Sequence, residues 1–122
     1  MMTNLKILYA SGSSGINDQG IRNLKLTKLN SSDNIHIMDV SWMTSLQKLY
    51  ASGITDYGIK NLKLKLLDAS NNPNITDVSW MKSLQILIAN GTSRITDEGI
   101  KNLTFKHLYA YNNLKIFRLI KN

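Results

Sequence analysis

Few side chains in this sequence belong to the types that catalyse reactions or bind metals. There are two histidines, His36 and His107, eight acidic residues and no cysteine. General acid–base catalysis commonly uses a histidine close to the reacting group, and a zinc site needs several histidine or cysteine ligands. The two histidines lie far apart in the chain, and no catalytic or metal-binding motif includes either of them. We therefore expect no enzyme activity, no catalytic residues, no cofactor and no metal site.

The aspartates recur in a motif instead of pairing in a catalytic dyad. Asp56, Asp77 and Asp97 each end an Ile-Thr-Asp triplet, and Asp18 and Asp39 occupy the same place in related segments. A carboxylate at the start of a helix accepts hydrogen bonds from free amides and favours the positive end of the helix dipole. We interpret these aspartates as caps of short helices.

An internal repeat of about 20 residues runs through the chain. The pattern Leu-x-x-Leu-x-Ala, counted with close variants, occurs six times at intervals of 21, 20, 18, 20 and 21 residues. Two types alternate, and we call them Gly-Ile coils, which end in Gly-Ile-Lys/Arg-Asn-Leu, and Trp coils, which contain Val-Ser-Trp. One structural unit is therefore a pair of coils. The copies begin at Leu5, Leu26, Leu46, Leu64, Leu84 and Phe105.

These motifs resemble leucine-rich repeats. The Gly-Ile coils are similar to the cysteine-containing subclass found beside F-box domains, with Thr92 or Ser13 where that subclass has its cysteine. The Trp coils are similar to internalin-like repeats, with Asn34, Asn72 and Asn113 at the usual asparagine position. The last coil, from Phe105, is counted among them by its asparagine, although Val-Ser-Trp is absent from it. In one respect the sequence departs from both patterns, because the third core leucine is replaced by alanine or serine in every coil.

The resemblance covers residues 2–113 and implies an α/β leucine-rich-repeat solenoid. It implies a short arc with a parallel sheet on the concave side and short helices on the convex side. We expect a single domain over 1–122, with about six coils of 18–21 residues and a terminal strand or cap over 114–122. The coil from Leu46 lacks three residues before Ile54, which predicts a tighter loop there.

The inward positions of the pattern predict a buried leucine ladder, since alternate side chains of a strand face opposite sides. We expect Trp42 and Trp80 to fill the volume left by the small residues at the third core position. Trp80→Ala would then cost about 3 to 5 kcal/mol, as large aromatic truncations in cores do. The ladder consists of Leu8, Leu29, Leu49, Leu67, Leu87 and Leu108.

The outward strand positions are rich in tyrosine and aliphatic residues, which predicts a protein-binding surface on the concave face. The alternative is that β-favouring residues stabilise neighbouring strands whatever the function. A further alternative is that the same patch, or the uncapped N-terminal edge of the sheet, forms a homodimer. The predicted contact residues are Tyr9, Tyr50, Ile86, Ile88 and Tyr109, flanked by Tyr111.

The basic residues of the chain outnumber the acidic ones. Fifteen Lys and Arg residues against eight Asp and Glu give a formal net charge of +7. We expect an interrupted basic ridge on the convex side and interpret it as a solvated face, because no nucleic-acid-binding motif accompanies it. The ridge consists of Arg22, Lys25, Lys60, Lys63 and Lys101.

Targeting signals and membrane-spanning segments are not evident in the sequence. The first residues lack the basic and apolar run of a secretory leader, and no later stretch has the roughly 18 apolar residues that a span needs. We therefore expect an intracellular, cytoplasmic module that binds a protein partner and neither a membrane nor a small-molecule substrate. The alternatives are a self-associating structural module and weak nucleic-acid binding through the basic ridge.

Overall fold

Short strands alternate with long turns throughout the chain, as a repeat of 18–21 residues requires. The computed structural model describes residues 4–12 and 14–117, which form a parallel-strand solenoid of about five turns. Its six strands lie in chain order in one parallel sheet. The strands are β1 (Ile7–Tyr9), β2 (Lys28–Ser31), β3 (Lys48–Ala51), β4 (Leu66–Asp68), β5 (Ile86–Ile88) and β6 (His107–Tyr109).

The register of the sheet confirms the predicted leucine ladder. Leu8 pairs with Leu29, and the same position continues in register through every strand to Leu108. The four inner leucines are fully buried, whereas Leu8 and Leu108 are partly exposed on the end strands. A shift of one residue would turn these leucines to solvent, so burial of one face specifies the register.

Helical structure is sparser than predicted. Among the described residues, the only helical segments are α1 (Asp18–Ile21) and two single 3₁₀ turns, Tyr57–Ile59 and Glu98–Ile100. All three belong to Gly-Ile coils, and the Trp coils have turns in the corresponding place. No helix in this part of the chain has the length and apolar character needed to cross a membrane.

The predicted role of the aspartates as caps is wrong, because in each of the three helical segments the residue before the aspartate supplies the capping side chain. The side-chain oxygens of Asn17, Thr55 and Thr96 accept hydrogen bonds from the amides of Gly20, Gly58 and Gly99. The aspartate of a Gly-Ile coil instead reaches into the next coil. The pairs are Asp18 with Met38 and Asp39, Asp56 with Thr76 and Asp77, and Asp97 with Phe117.

In the Trp coils the aspartates act locally. The Asp39 carboxylate accepts hydrogen bonds from both the amide and the hydroxyl of Ser41, and Asp77 does the same with Ser79. Such side-chain bonds to the backbone two residues on compete with helix formation. This competition explains why the Trp coils turn at Val-Ser-Trp without forming a helix.

The predicted burial of the two tryptophans is also wrong. Trp42 is 41% exposed and Trp80 is 43% exposed. Because the segment turns, the valine two residues before each tryptophan and the methionine after it point inward, and the indole points outward. The buried residues of these segments are Val40, Met43, Val78 and Met81.

Buried asparagines link each Trp coil to the Gly-Ile coil before it. The Asn72 side-chain amide donates to the carbonyls of Ala51 and Ile54, and its oxygen accepts from the amide of Asn74. Asn34 and Asn113 make the same three bonds at their own positions. Every polar group of the buried amide is therefore used, as burial demands.

The position that corresponds to asparagine differs in the Gly-Ile coils. Ser93 is the fully buried residue there and accepts from the amide of Ile95, whereas Thr92, the residue predicted for this place, is exposed. Ser13, the other residue predicted to replace cysteine, lies outside the described residues. The predicted terminal strand or cap is described only over 114–117, a turn in which Ile116 is buried.

Candidate protein-binding face

The outward face of the sheet consists of two rows of side chains that run across the strands. One row holds Tyr9, Tyr50, Ile88 and Tyr109, because these residues occupy the same register position. Ile86 lies in the neighbouring row, two residues earlier along its strand, and Tyr111 follows β6. The strands place all the predicted contact residues on or beside one face, although not in a single cluster.

At the C-terminal end of this face is the aromatic patch, formed by Ile86, Ile88, His107, Tyr109 and Tyr111. The rings of His107 and Tyr109 stack with centroids 6.1 Å apart, and those of Tyr109 and Tyr111 stack at 6.2 Å. Ile86 pairs with His107 and Ile88 pairs with Tyr109 on the neighbouring strand. The three rings are therefore exposed, with Tyr111 at 67% exposure, and the two isoleucines beside them are half-buried.

At the N-terminal end, Tyr9 and Tyr50 are joined by Lys28, and we call these three residues the lysine–tyrosine cluster. The Lys28 ammonium donates a hydrogen bond of 3.1 Å to the Tyr9 hydroxyl. The same ammonium lies 5.3 Å from the centre of the Tyr9 ring and 5.6 Å from that of Tyr50, within cation–π range. The hydrogen bond to Tyr9 is the main cause of the raised pKa of Lys28.

Asp68 separates the two groups of tyrosines. It pairs with Tyr50 on one side and with Ile88 on the other, so it interrupts the row of apolar and aromatic side chains. Its carboxylate accepts from the amide of Ser70, which holds it at the end of β4. The predicted contact surface is thus divided into the aromatic patch and the lysine–tyrosine cluster. One side chain of a partner could not contact both.

The sequence prediction did not include two members of these clusters, Lys28 and His107. His107 pairs in register with the predicted contact residue Ile86. Lys28 pairs with Ile7 and Lys48, and its ammonium reaches the tyrosine rings of the neighbouring strands diagonally. The prediction selected residues by type alone. The lateral neighbours of a tyrosine become visible only when the pairing of strands is known.

The predicted basic ridge is divided in the structure. Lys60 lies 3.7 Å from the centre of the Tyr57 ring, and Lys101 forms a 2.6 Å ion pair with Glu98, which raises the pKa of Lys101. The other three members line two grooves that also contain the tryptophans: Arg22, Lys25 and Lys63.

The histidines remain apart in the folded chain. His36 lies in the loop after β2 and His107 lies in β6, and both are exposed. Among the described residues, no three histidine or acidic side chains come together as metal ligands would. His107 instead contributes its ring to the aromatic patch.

No protein-family model matches this chain, and no curated protein or solved structure shows significant similarity to it. A function is therefore inferred from the exposed clusters of the sheet and from the grooves beside it. The fold alone would not select one, since solenoids of similar build serve many functions.

Proposed function

We propose that this chain is a leucine-rich-repeat module that binds a protein partner through the concave face of its sheet. The observation that carries the proposal is the exposed column of stacked rings, His107, Tyr109 and Tyr111, beside Ile86 and Ile88. Tyrosine provides a large contact area with a polar tip and is enriched at interaction hot spots. Contiguous exposed apolar surface on a soluble domain commonly marks an interaction site.

Assignment to the leucine-rich repeats forms part of this proposal. It is supported by the leucines in register and by the asparagines whose amides bond to the preceding coil. The intervals between the coils also agree with the leucine-rich-repeat motifs. The scarcity of helices is the feature that agrees least with this assignment. Binding on the sheet face is the usual arrangement for solenoids of this kind.

The aromatic patch is the centre of the proposed contact, and the lysine–tyrosine cluster is its polar end. The patch consists of side chains on two adjacent strands and the residue after them, so it is presented on a rigid base. In the cluster, Tyr9 is already engaged by Lys28. Contacts there would recognise an acidic group on the partner, because Lys28 carries the positive charge between two rings.

Self-association through the same face, or through the N-terminal edge of the sheet, is the alternative, and one observation favours the edge. Among the described residues, β1 has a strand partner on one side only, so its other edge is open to pairing. An open strand edge readily recruits another chain. Light scattering over a concentration series distinguishes a monomer with a free face from a dimer.

The test of the proposal compares the parent with a double variant of the patch and a control variant elsewhere. Ile88→Ala with Tyr109→Ala removes the centre of the patch, and Tyr57→Ala removes a tyrosine of 63% exposure from another surface. Partners retained from extracts of the native source by the parent and by Tyr57→Ala, but lost by the double variant, support the proposal. Equal retention by all three folded proteins contradicts it, and a dimer that the double variant dissociates supports self-association.

A further inference from the structure

Two similar grooves lie on one flank of the solenoid, next to the N-terminal ends of the strands. The first groove is lined by residues 22–25 and 42–45, and the second by residues 61–63 and 80–83. Each has a volume of about 400 Å³ and lies between the end of a Gly-Ile coil and the Val-Ser-Trp segment of the next coil. The grooves are therefore copies of one feature, repeated once per pair of coils.

Each groove combines an exposed indole with a buried apolar base. In the second groove, Trp80 stands beside Leu62 and Met81, which are 1% and 2% exposed. The indole N–H donates to the carbonyl of Asp77 at 3.2 Å, so the ring is held in place by its own turn. Leaving this much indole surface in water is unfavourable, and a covering apolar group would gain about 25 cal/mol for each Å² removed from water.

Positive charge surrounds both indoles. Arg22 and Lys25 line the first groove, and Lys63 and Lys82 line the second. Of the described residues that line the grooves, none is acidic. A ligand that fills both grooves must therefore be apolar where it covers the rings and negatively charged beside them.

The spacing of the grooves favours an extended peptide. Strands in a sheet lie about 4.8 Å apart, so features repeated every second coil lie about 10 Å apart along the solenoid. An extended polyproline-type segment has three residues per turn and rises about 3.1 Å per residue, so side chains at i and i+3 point the same way about 9 Å apart. Such a segment places one apolar side chain in each groove and its acidic residues against the lysines.

We propose that the two tryptophan grooves together bind an acidic, extended segment of a partner protein, with apolar side chains at i and i+3 over Trp42 and Trp80. This surface is separate from the sheet face, so the proposal does not depend on the proposed function. A nucleic-acid strand fits less well, because it carries a charge at every nucleotide and needs a continuous basic track. Here two pairs of cations are separated by uncharged residues, and the second groove is mostly apolar.

The test uses a fluorescein-labelled peptide of twelve residues, rich in glutamate, with leucine at i and i+3. Binding is measured by anisotropy and by the fluorescence of the chain itself, whose two tryptophans are the ones in the grooves. We expect Trp80→Ala to weaken binding about tenfold or more, the loss typical of an anchor residue. Lys63→Glu with Lys82→Glu leaves the ring in place and should weaken binding similarly, whereas Tyr57→Ala should have no effect.

Any of the following results would overturn the proposal. The first is unchanged affinity in both groove variants when circular dichroism shows that they are folded. The second is equal affinity for a peptide of the same composition with its apolar residues at i and i+2. The third is failure of the parent to bind the peptide at all, or tighter binding of a dT12 oligonucleotide, which would assign the grooves to single-stranded nucleic acid.

Discussion

Gly58 lies against the carbonyl oxygen of Met38 in the preceding coil, so closely that a Cβ atom on the glycine would overlap that oxygen. Gly99 has the same relationship to the carbonyl of Thr76. Gly20 occupies the same place in the first coil, but the nearest atoms to an added Cβ are 3.7 Å away. The glycine of the Gly-Ile motif is therefore required where a coil precedes it, because a side chain would separate the two backbones.

Gly58→Ala should destabilise the fold by about 1 to 3 kcal/mol, the usual cost of inserting a methyl group into a packed site. Gly20→Ala is the matched control and should be neutral or slightly stabilising, since alanine favours the helix α1 in which it lies. Urea unfolding of both variants checks the prediction. Equal free energies of unfolding for the two variants would contradict the prediction, because they would mean that the coils can move apart at Gly58 without loss of stability.

Asn72→Ala should cost about 2 to 4 kcal/mol, because it leaves two buried carbonyls and one amide without their partner. Ser93→Ala, at the corresponding place of the next coil, should cost less, since the Ser93 hydroxyl oxygen accepts one bond at 3.4 Å. The comparison is made by urea unfolding. A larger loss for Ser93→Ala would contradict the role assigned to the asparagines.

Asp56→Ala should loosen the junction between its coil and the next one. Its carboxylate accepts from the amides of Thr76 and Asp77 and from the Thr76 hydroxyl. Hydrogen exchange at the two amides should become faster by about tenfold, which corresponds to a local loss of about 1.4 kcal/mol.

Asp77→Ala is the control for this experiment, since the Asp77 carboxylate bonds within its own coil, to Ser79. It should accelerate exchange at Ser79 and leave the amide of Thr76 protected. If exchange becomes faster at the same amides in both variants, the two aspartates do not stabilise different parts of the structure, and the prediction is wrong.

Trp80→Ala should cost less stability than Leu67→Ala, although tryptophan is the larger residue. Leu67 is fully buried in the ladder and its truncation should cost about 2 to 5 kcal/mol, whereas 43% of Trp80 is in solvent. Urea unfolding gives both values. A greater loss for Trp80→Ala would show that the indole supports the core after all.

The repeating unit of two coils has a physical basis in these contacts. Asp56 reaches forward from a Gly-Ile coil, and Asn72 reaches back from the following Trp coil, so the two coils exchange hydrogen bonds in both directions. The next junction, from Trp coil to Gly-Ile coil, combines close backbone contact at Gly99 with side-chain bonds of another kind, such as the Asn71 oxygen that accepts from the amide of Thr92. Alternation of the two motifs therefore corresponds to alternation of two kinds of junction.

Period and residue type were enough to predict the strands, their parallel arrangement and the leucine ladder. Each of these depends on a single rule, that residues at the same place in successive coils face the same way. The outward position of Tyr9, Tyr50, Ile88 and Tyr109 follows from that rule as well. Asp68 occupies the same position in the coil between Tyr50 and Ile88, so the division of the row into two groups could also have been predicted from the sequence.

Side chains whose roles depend on a neighbouring coil were not predictable in the same way. Asp56 was assigned to its own helix, yet its partners are amides 20 and 21 residues further along the chain. Trp80 was assigned to the core because of its size, yet the turn formed by Asp77 and Ser79 directs the indole outward. Local sequence specifies which residues lie inside a coil. Only the stacking of coils decides which polar groups meet across a junction and which large side chains remain in solvent, because those outcomes depend on distances between segments that are remote in sequence.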